Sequence, residues 1–201
     1  MGLEAVAAPF TLAAVAALVI GAAVIARDYE SGGIMLDRLH GAGPIETVLG
    51  SLLYTTTAAG LVAALLAAQL FLSSPELVTD AGWLMITAGV LSVFAMCALL
   101  VAFGTVAPGY ANSAIVVGLI VVAPGMGEVE RWGFPQQITA LFRMVRSILP
   151  LPHQLAAAAA ALTRGESPGR PIAIFAIGSI LAAAVAVAAV QRREPARGWR
   201  R

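Results

Sequence analysis

Long uncharged runs dominate the chain, and short charged stretches separate them. Residues 5–26, 47–72, 81–127 and 171–191 contain no aspartate, glutamate, lysine or arginine. A membrane-spanning helix needs roughly 20 predominantly apolar residues. The pattern therefore predicts spans near 5–26 and 47–72, the second long enough to tilt. The run 81–127 is too long for one span and fits two. A turn at Pro108-Gly109 and Asn112 divides it, because Pro-Gly pairs interrupt helices. This places spans near 83–106 and 110–123; the latter is short and ends at Pro124-Gly125. Residues 171–191 form the last span. Between the second and third, SSPELVTD (73–80) reads as a short polar turn.

Two segments between the spans have a different character. Residues 27–45 are charged, and charge at a bilayer centre is costly, so they belong in water or at the membrane surface. Gly32-Gly33 precede Ile34, Met35, Leu36 and Leu39 at helical spacing, and Pro44 stands near the start of the next apolar run. This predicts a short surface helix joining two spans. In residues 128–165, Ile138, Leu141, Phe142, Val145 and Ile148 share one helical face, with Arg143 and Arg146 off it. That is an amphipathic helix suited to the membrane interface. Leu149-Pro150-Leu151-Pro152 breaks it, and an alanine-rich helix, His153–Leu162, runs to Gly165. That second helix is too short to span. The expected fold is thus an all-α integral membrane protein. Residues 1–201 form one domain, a polytopic bundle of about five spans. A cytoplasmic coupling helix follows the first span, and an external re-entrant or amphipathic helical pair precedes the last.

An odd number of spans puts the termini on opposite sides. The tail RREPARGWRR is arginine-rich and is assigned to the cytoplasm, because positive loops stay inside. Segment 27–45 is then cytoplasmic too, while the N-terminus and 128–165 are external, in the cytoplasmic membrane of a cell. The opening MGLEAVAAPF carries a glutamate and no basic side chain. It lacks the positive start of a signal peptide, so the first run reads as a retained span.

Composition agrees with this picture and narrows the chemistry. The chain is 60% hydrophobic and 11% charged, against about 25% charged in soluble domains. A net charge of +1 gives no field that favours nucleic acid. There is no lysine, so neither a nucleotide-binding P-loop nor Schiff-base chemistry is available. Cys97 is the single cysteine, and His40 and His153 fall on opposite sides in this topology. No metal site, resident cofactor or catalytic residue is expected, and the chain does not read as an enzyme. Glu128 and Glu130, two apart, do not face each other on a helix and read as a solvated turn. Tyr110, Asn112 and Ser113 read as turn residues. Ser51, Thr55 and Gln69 share one face of the second span. They serve either as helix-packing contacts or as the lining of a translocation path.

The segment after the first span resembles the cytoplasmic motif of type-2 ABC exporter permeases. Glu30 takes the glutamate position of that motif and Gly32-Gly33 the Gly-Thr. Leu36-Asp37-Arg38-Leu39 takes the leucine stretch, and Val48-Leu49-Gly50-Ser51 falls on the Leu-Gly-Lys that opens the next span. Gly41, Pro44 and Ser51 depart from the usual proline, arginine and lysine. The Pro150-Leu151-Pro152-His153 break and the basic end Gln191-Arg192-Arg193-Glu194 are similar to the same family. The resemblance implies a permease subunit without ATPase activity. Arg27, Asp28, Glu30, Gly32, Gly33, Met35, Leu36, Arg38 and Leu39 would couple it to a separate ATPase subunit that binds ATP and Mg2+. It also implies a second permease copy or a paralogue, contact with membrane lipid, and export of a lipophilic or amphiphilic substrate. Alternatives are a haem-export permease of cytochrome maturation, and a non-transporting assembly factor or membrane enzyme. Family members usually have six spans. This chain starts at what corresponds to the second, either as a five-span member or from a truncated start.

Overall fold

The computed structural model describes residues 3–30, 41–106, 111, 114–118 and 133–197. Every regular element among them is helical: α1 (Leu3–Glu30), α2 (Pro44–Ser73), a 3-10 turn (Pro75–Leu77), α3 (Asp80–Val106), α4 (Gln136–Ile148), α5 (His153–Thr163) and α6 (Gly169–Arg197).

The helix ends follow from local chemistry. Gly43 caps α2 in an extended conformation and Pro44 opens it, where a missing N–H costs nothing and the fixed φ suits a helix. Pro75 closes the same helix and starts the 3-10 turn. Asp80 sits in the first turn of α3, favourable beside the helix dipole. Gly165 ends α5 at φ +74°. The Glu166 N–H donates to Ala161 O at 2.9 Å, and the Gly165 N–H donates to Leu162 O at 3.0 Å. These two bonds make the glycine-terminated cap that satisfies the last carbonyls.

Residue sizes are sorted in a way opposite to a water-soluble bundle. The buried positions are mostly small: Ala13, Ala14, Ala17, Ala59, Ala88, Ala95, Ala158 and Ala186 are all essentially inaccessible. Large apolar side chains point outward, among them Leu53, Leu61, Leu65, Leu72, Ile177, Ile180 and Leu181. Close approach through small residues, with branched chains outside, is how helices associate in lipid. Soluble monomers rarely expose so many large apolar side chains together. α2, α3 and α6 are each long and apolar enough to cross a membrane. The chain is a membrane-embedded helical protein on these grounds.

α3 is the central helix. It packs against α1, α2, α5 and α6, and 61% of its most apolar window is buried, against 22% for α2 and for α6. α2 and α3 meet through the short 73–80 turn and run antiparallel, with Thr55 and Thr56 of α2 facing Cys97 of α3. The starts of α3 and α6 lie together: Ala81 and Leu84 share a small cleft with Gly169 and Ile172. α6 therefore runs parallel to α3. The beginning of α2 and the end of α6 sit at one end of the bundle, and α5 sits at the other. There Leu155, Ala158 and Ala159 of α5 are buried as α5 packs on α1 and α3.

The expected spans at 5–26, 47–72, 83–106 and 171–191 fall within α1, α2, α3 and α6. The expected helical pair is present as α4 and α5, broken at Leu149–Pro152. The span expected at 110–123 lies mostly outside the described residues, of which 111 and 114–118 are helical.

Candidate functional site

At the α5 end of the bundle, α4, α5 and the α5–α6 turn enclose an open cleft of about 480 Å³. Its walls carry mostly polar and charged side chains. Arg143, Arg146 and Ser147 come from α4, and His153 and Gln154 from the start of α5. Arg164, Glu166 and Ser167 come from the turn, and Arg170 from the first turn of α6. Among the described residues, four guanidinium groups thus face a space lined by one carboxylate.

α4 explains how the arginines arrive there. Its 3.6-residue period puts Thr139, Arg143, Arg146 and Ser147 on one side. Thr139 is buried, Arg146 and Ser147 are half-buried, and Arg143 is more open. The opposite side carries Ile138, Leu141 and Met144, which are 40%, 58% and 58% exposed. The helix therefore turns its polar face toward the protein and its apolar face outward. In water that arrangement would be inverted; against lipid it is favourable. Phe134 packs on Phe142 with ring centroids 6.2 Å apart. The Thr139 hydroxyl donates back to Pro135 O at 3.3 Å, beside the Thr139 N–H bond to the same oxygen.

The break between α4 and α5 is pinned from two sides. Pro150 lies against Gly178 of α6, where an added Cβ would sit 2.6 Å from Pro150 Cγ. His153 Nε2 lies 3.0 Å from the Arg146 carbonyl oxygen, and Gln154 Nε2 donates to that same oxygen at 3.3 Å. These contacts satisfy a helix-end carbonyl that has no intrahelical partner. The buried Nδ1 of His153 has no hydrogen-bond partner. Burial pushes the His153 pKa below 6.5; the hydrogen bond to Arg146 O opposes this and the Arg146 charge adds to it. Arg164 and Glu166 pair at 2.9 Å on the surface. The hydrogen bond and charge of Arg164 hold the Glu166 carboxyl below its ordinary value. Water screens such an exposed pair, so it adds little to stability.

The residues singled out from sequence lie elsewhere. Arg27, Asp28 and Glu30 belong to the last turn of α1, with side chains outside the described part. Gly32, Gly33, Met35, Leu36, Arg38 and Leu39 lie outside the described residues altogether. On α2, Thr55 is buried and its hydroxyl donates to Ser51 O at 2.9 Å and Leu52 O at 3.1 Å. Ser51 is half-buried and Gln69 is exposed. The shared face thus joins Ser51 to Thr55 but leaves Gln69 at the surface near the far end of the helix. Among the described residues no three His, Cys, Asp or Glu side chains group as a metal site. The cleft was not anticipated as a unit. Its sequence signal is the arginines placed on both sides of the α4–α5 pair. No protein-family description, curated protein or solved structure matches the chain.

Proposed function

We propose that the chain is the membrane-spanning permease subunit of an ATP-driven exporter, energised by a separate ATPase subunit. The observation that carries this reading is the charged segment 27–45, set between two long apolar helices in a chain that has no P-loop. The helical pair α4–α5 supports it, because the resemblance places such a pair directly before the last span. So does the arrangement of ends: segment 27–45 leads into the start of α2, at the bundle end away from α4 and α5.

In this mechanism the partner ATPase grips residues around Glu30, Leu36 and Leu39. Its closure on ATP displaces the segment, and α1 and α2 rock with it as near-rigid bodies. The driving force is the different affinity of ATP and cargo for the two states. The small-residue packing around α3 makes a passage inside one chain a poor fit. A path between this chain and a second copy or paralogue fits the exposed faces of α2 and α6 better. The cargo this surface suits is lipophilic or amphiphilic.

Charge reversal at Glu30 (Glu30→Lys) and Leu36→Asp are expected to abolish ATP-dependent transport in vesicles holding both subunits. Membrane insertion should be unchanged. Full transport by both variants, or ATP hydrolysis by the purified chain alone, overturns the proposal.

A further inference from the structure

We propose that the arginine-lined cleft between α4 and the α5–α6 turn binds the phosphate of an anionic membrane lipid. This inference is independent of the exporter reading and concerns the opposite end of the bundle.

Charge is the first argument. Arg146 and Arg170 line the cleft from different helices, with Arg143 and Arg164 beside them. Among the described residues the one lining carboxylate, Glu166, is held by Arg164. Guanidinium forks bind phosphate oxygens in pairs and are weakly hydrated, so they give up little solvation when a phosphate binds. Ser147 and Ser167 add polar side chains to the same wall.

Position selects the lipid over a soluble anion. α4 exposes Ile138, Leu141 and Met144 on the side opposite its arginines. With that face bedded in acyl chains, the cleft on the other side of α4 is held at the membrane surface, within reach of a lipid headgroup. The cleft also sits at the start of α6, one of the helices long enough to span. That is the level at which headgroups lie. Nearby, Trp83 is 60% exposed in the first turn of α3, and tryptophan is enriched at this depth.

The test uses the full chain reconstituted in nanodiscs of phosphatidylcholine, with or without phosphatidylglycerol. Lipid retained after re-extraction in detergent is counted by mass spectrometry. The wild-type chain should retain phosphatidylglycerol in preference to phosphatidylcholine. Arg146→Gln combined with Arg170→Gln should cut that retention roughly thirtyfold, since each basic group near a membrane surface contributes about 1 kcal/mol. The paired lysine substitutions should keep most of it, and they separate lost binding from lost folding. Arg192→Gln, at the other end of α6, should change nothing. Equal retention of the two lipids by the wild type overturns the proposal, as does unchanged retention in the double glutamine variant. Inorganic phosphate at millimolar concentration, if it displaced phosphatidylglycerol completely, would identify a soluble anion site and overturn the lipid assignment.

Discussion

The ring of Phe10 in α1 occupies the space that a side chain at Gly89 of α3 would need. A Cβ built on Gly89 runs into Cγ and both Cδ atoms of Phe10. Both residues are buried, and the contact sets how closely the first helix approaches the central one. Gly89→Ala should therefore destabilise the purified protein by roughly 1–3 kcal/mol, the usual cost of overpacking. Gly60→Ala is the control, because nothing lies within 4 Å of its Cβ position. It should leave the thermal midpoint unchanged or raise it. In a Phe10→Ala background the cost of Gly89→Ala should shrink, since contacting residues couple. Equal effects at the two glycines would contradict the contact.

Cys97 gives a direct measure of the α2–α3 interface. It is the single cysteine in the sequence, is fully buried and faces Thr55 and Thr56. A maleimide should label it slowly in the folded protein and completely after denaturation in SDS. Ala81→Cys in a Cys97→Ser background, at the half-buried start of α3, should label fast in both conditions. Fast labelling of native Cys97 would mean that the two helices are not closed on each other.

His153 makes stability depend on pH in a defined window. Burial and the Arg146 charge hold its folded pKa below the ordinary 6.5, against the hydrogen bond to Arg146 O. Arg143, Arg164 and Arg170 face the same cleft, with Glu166 as the one carboxylate among the described residues. Between the folded value and 6.5 the unfolded chain binds more protons than the folded one, so stability rises with pH there. The contribution is complete above 6.5 and is lost as the pH falls through the window. The thermal midpoint of the wild type should thus drop on acidification from pH 7 more than that of His153→Gln. Every other ionisable group is common to both proteins and cancels in the difference. Parallel curves would place His153 in an ordinary solvated setting.

The long elements were legible because their physics is local. An uncharged run bounded by Asp80 on one side predicts α3, and two prolines in four residues predict the α4–α5 break. Periodicity could not reveal that α3 is central, since α3 is apolar on every side and carries no directional stripe. Nor could it say which hydroxyls turn inward: Thr55 is buried against α3 while Gln69 on the same nominal face is exposed. The cleft was hidden for a similar reason. Arg143 and Arg146 read correctly as the polar face of an amphipathic helix, but a helical wheel does not say what that face meets. Only the fold brings Arg164 and Arg170 across from them. Such closure depends on the angle set by the 149–152 break and by Pro150 on Gly178.

The central claim is that force reaches this bundle from outside through segment 27–45. A photo-crosslinking amino acid placed at Leu36 in the full chain, activated in native membranes, tests it most directly. The account predicts capture of a P-loop ATPase, lost when Glu30→Lys is added. Capture of no ATPase, with position 36 reached by an impermeant reagent added from the external face, would contradict it.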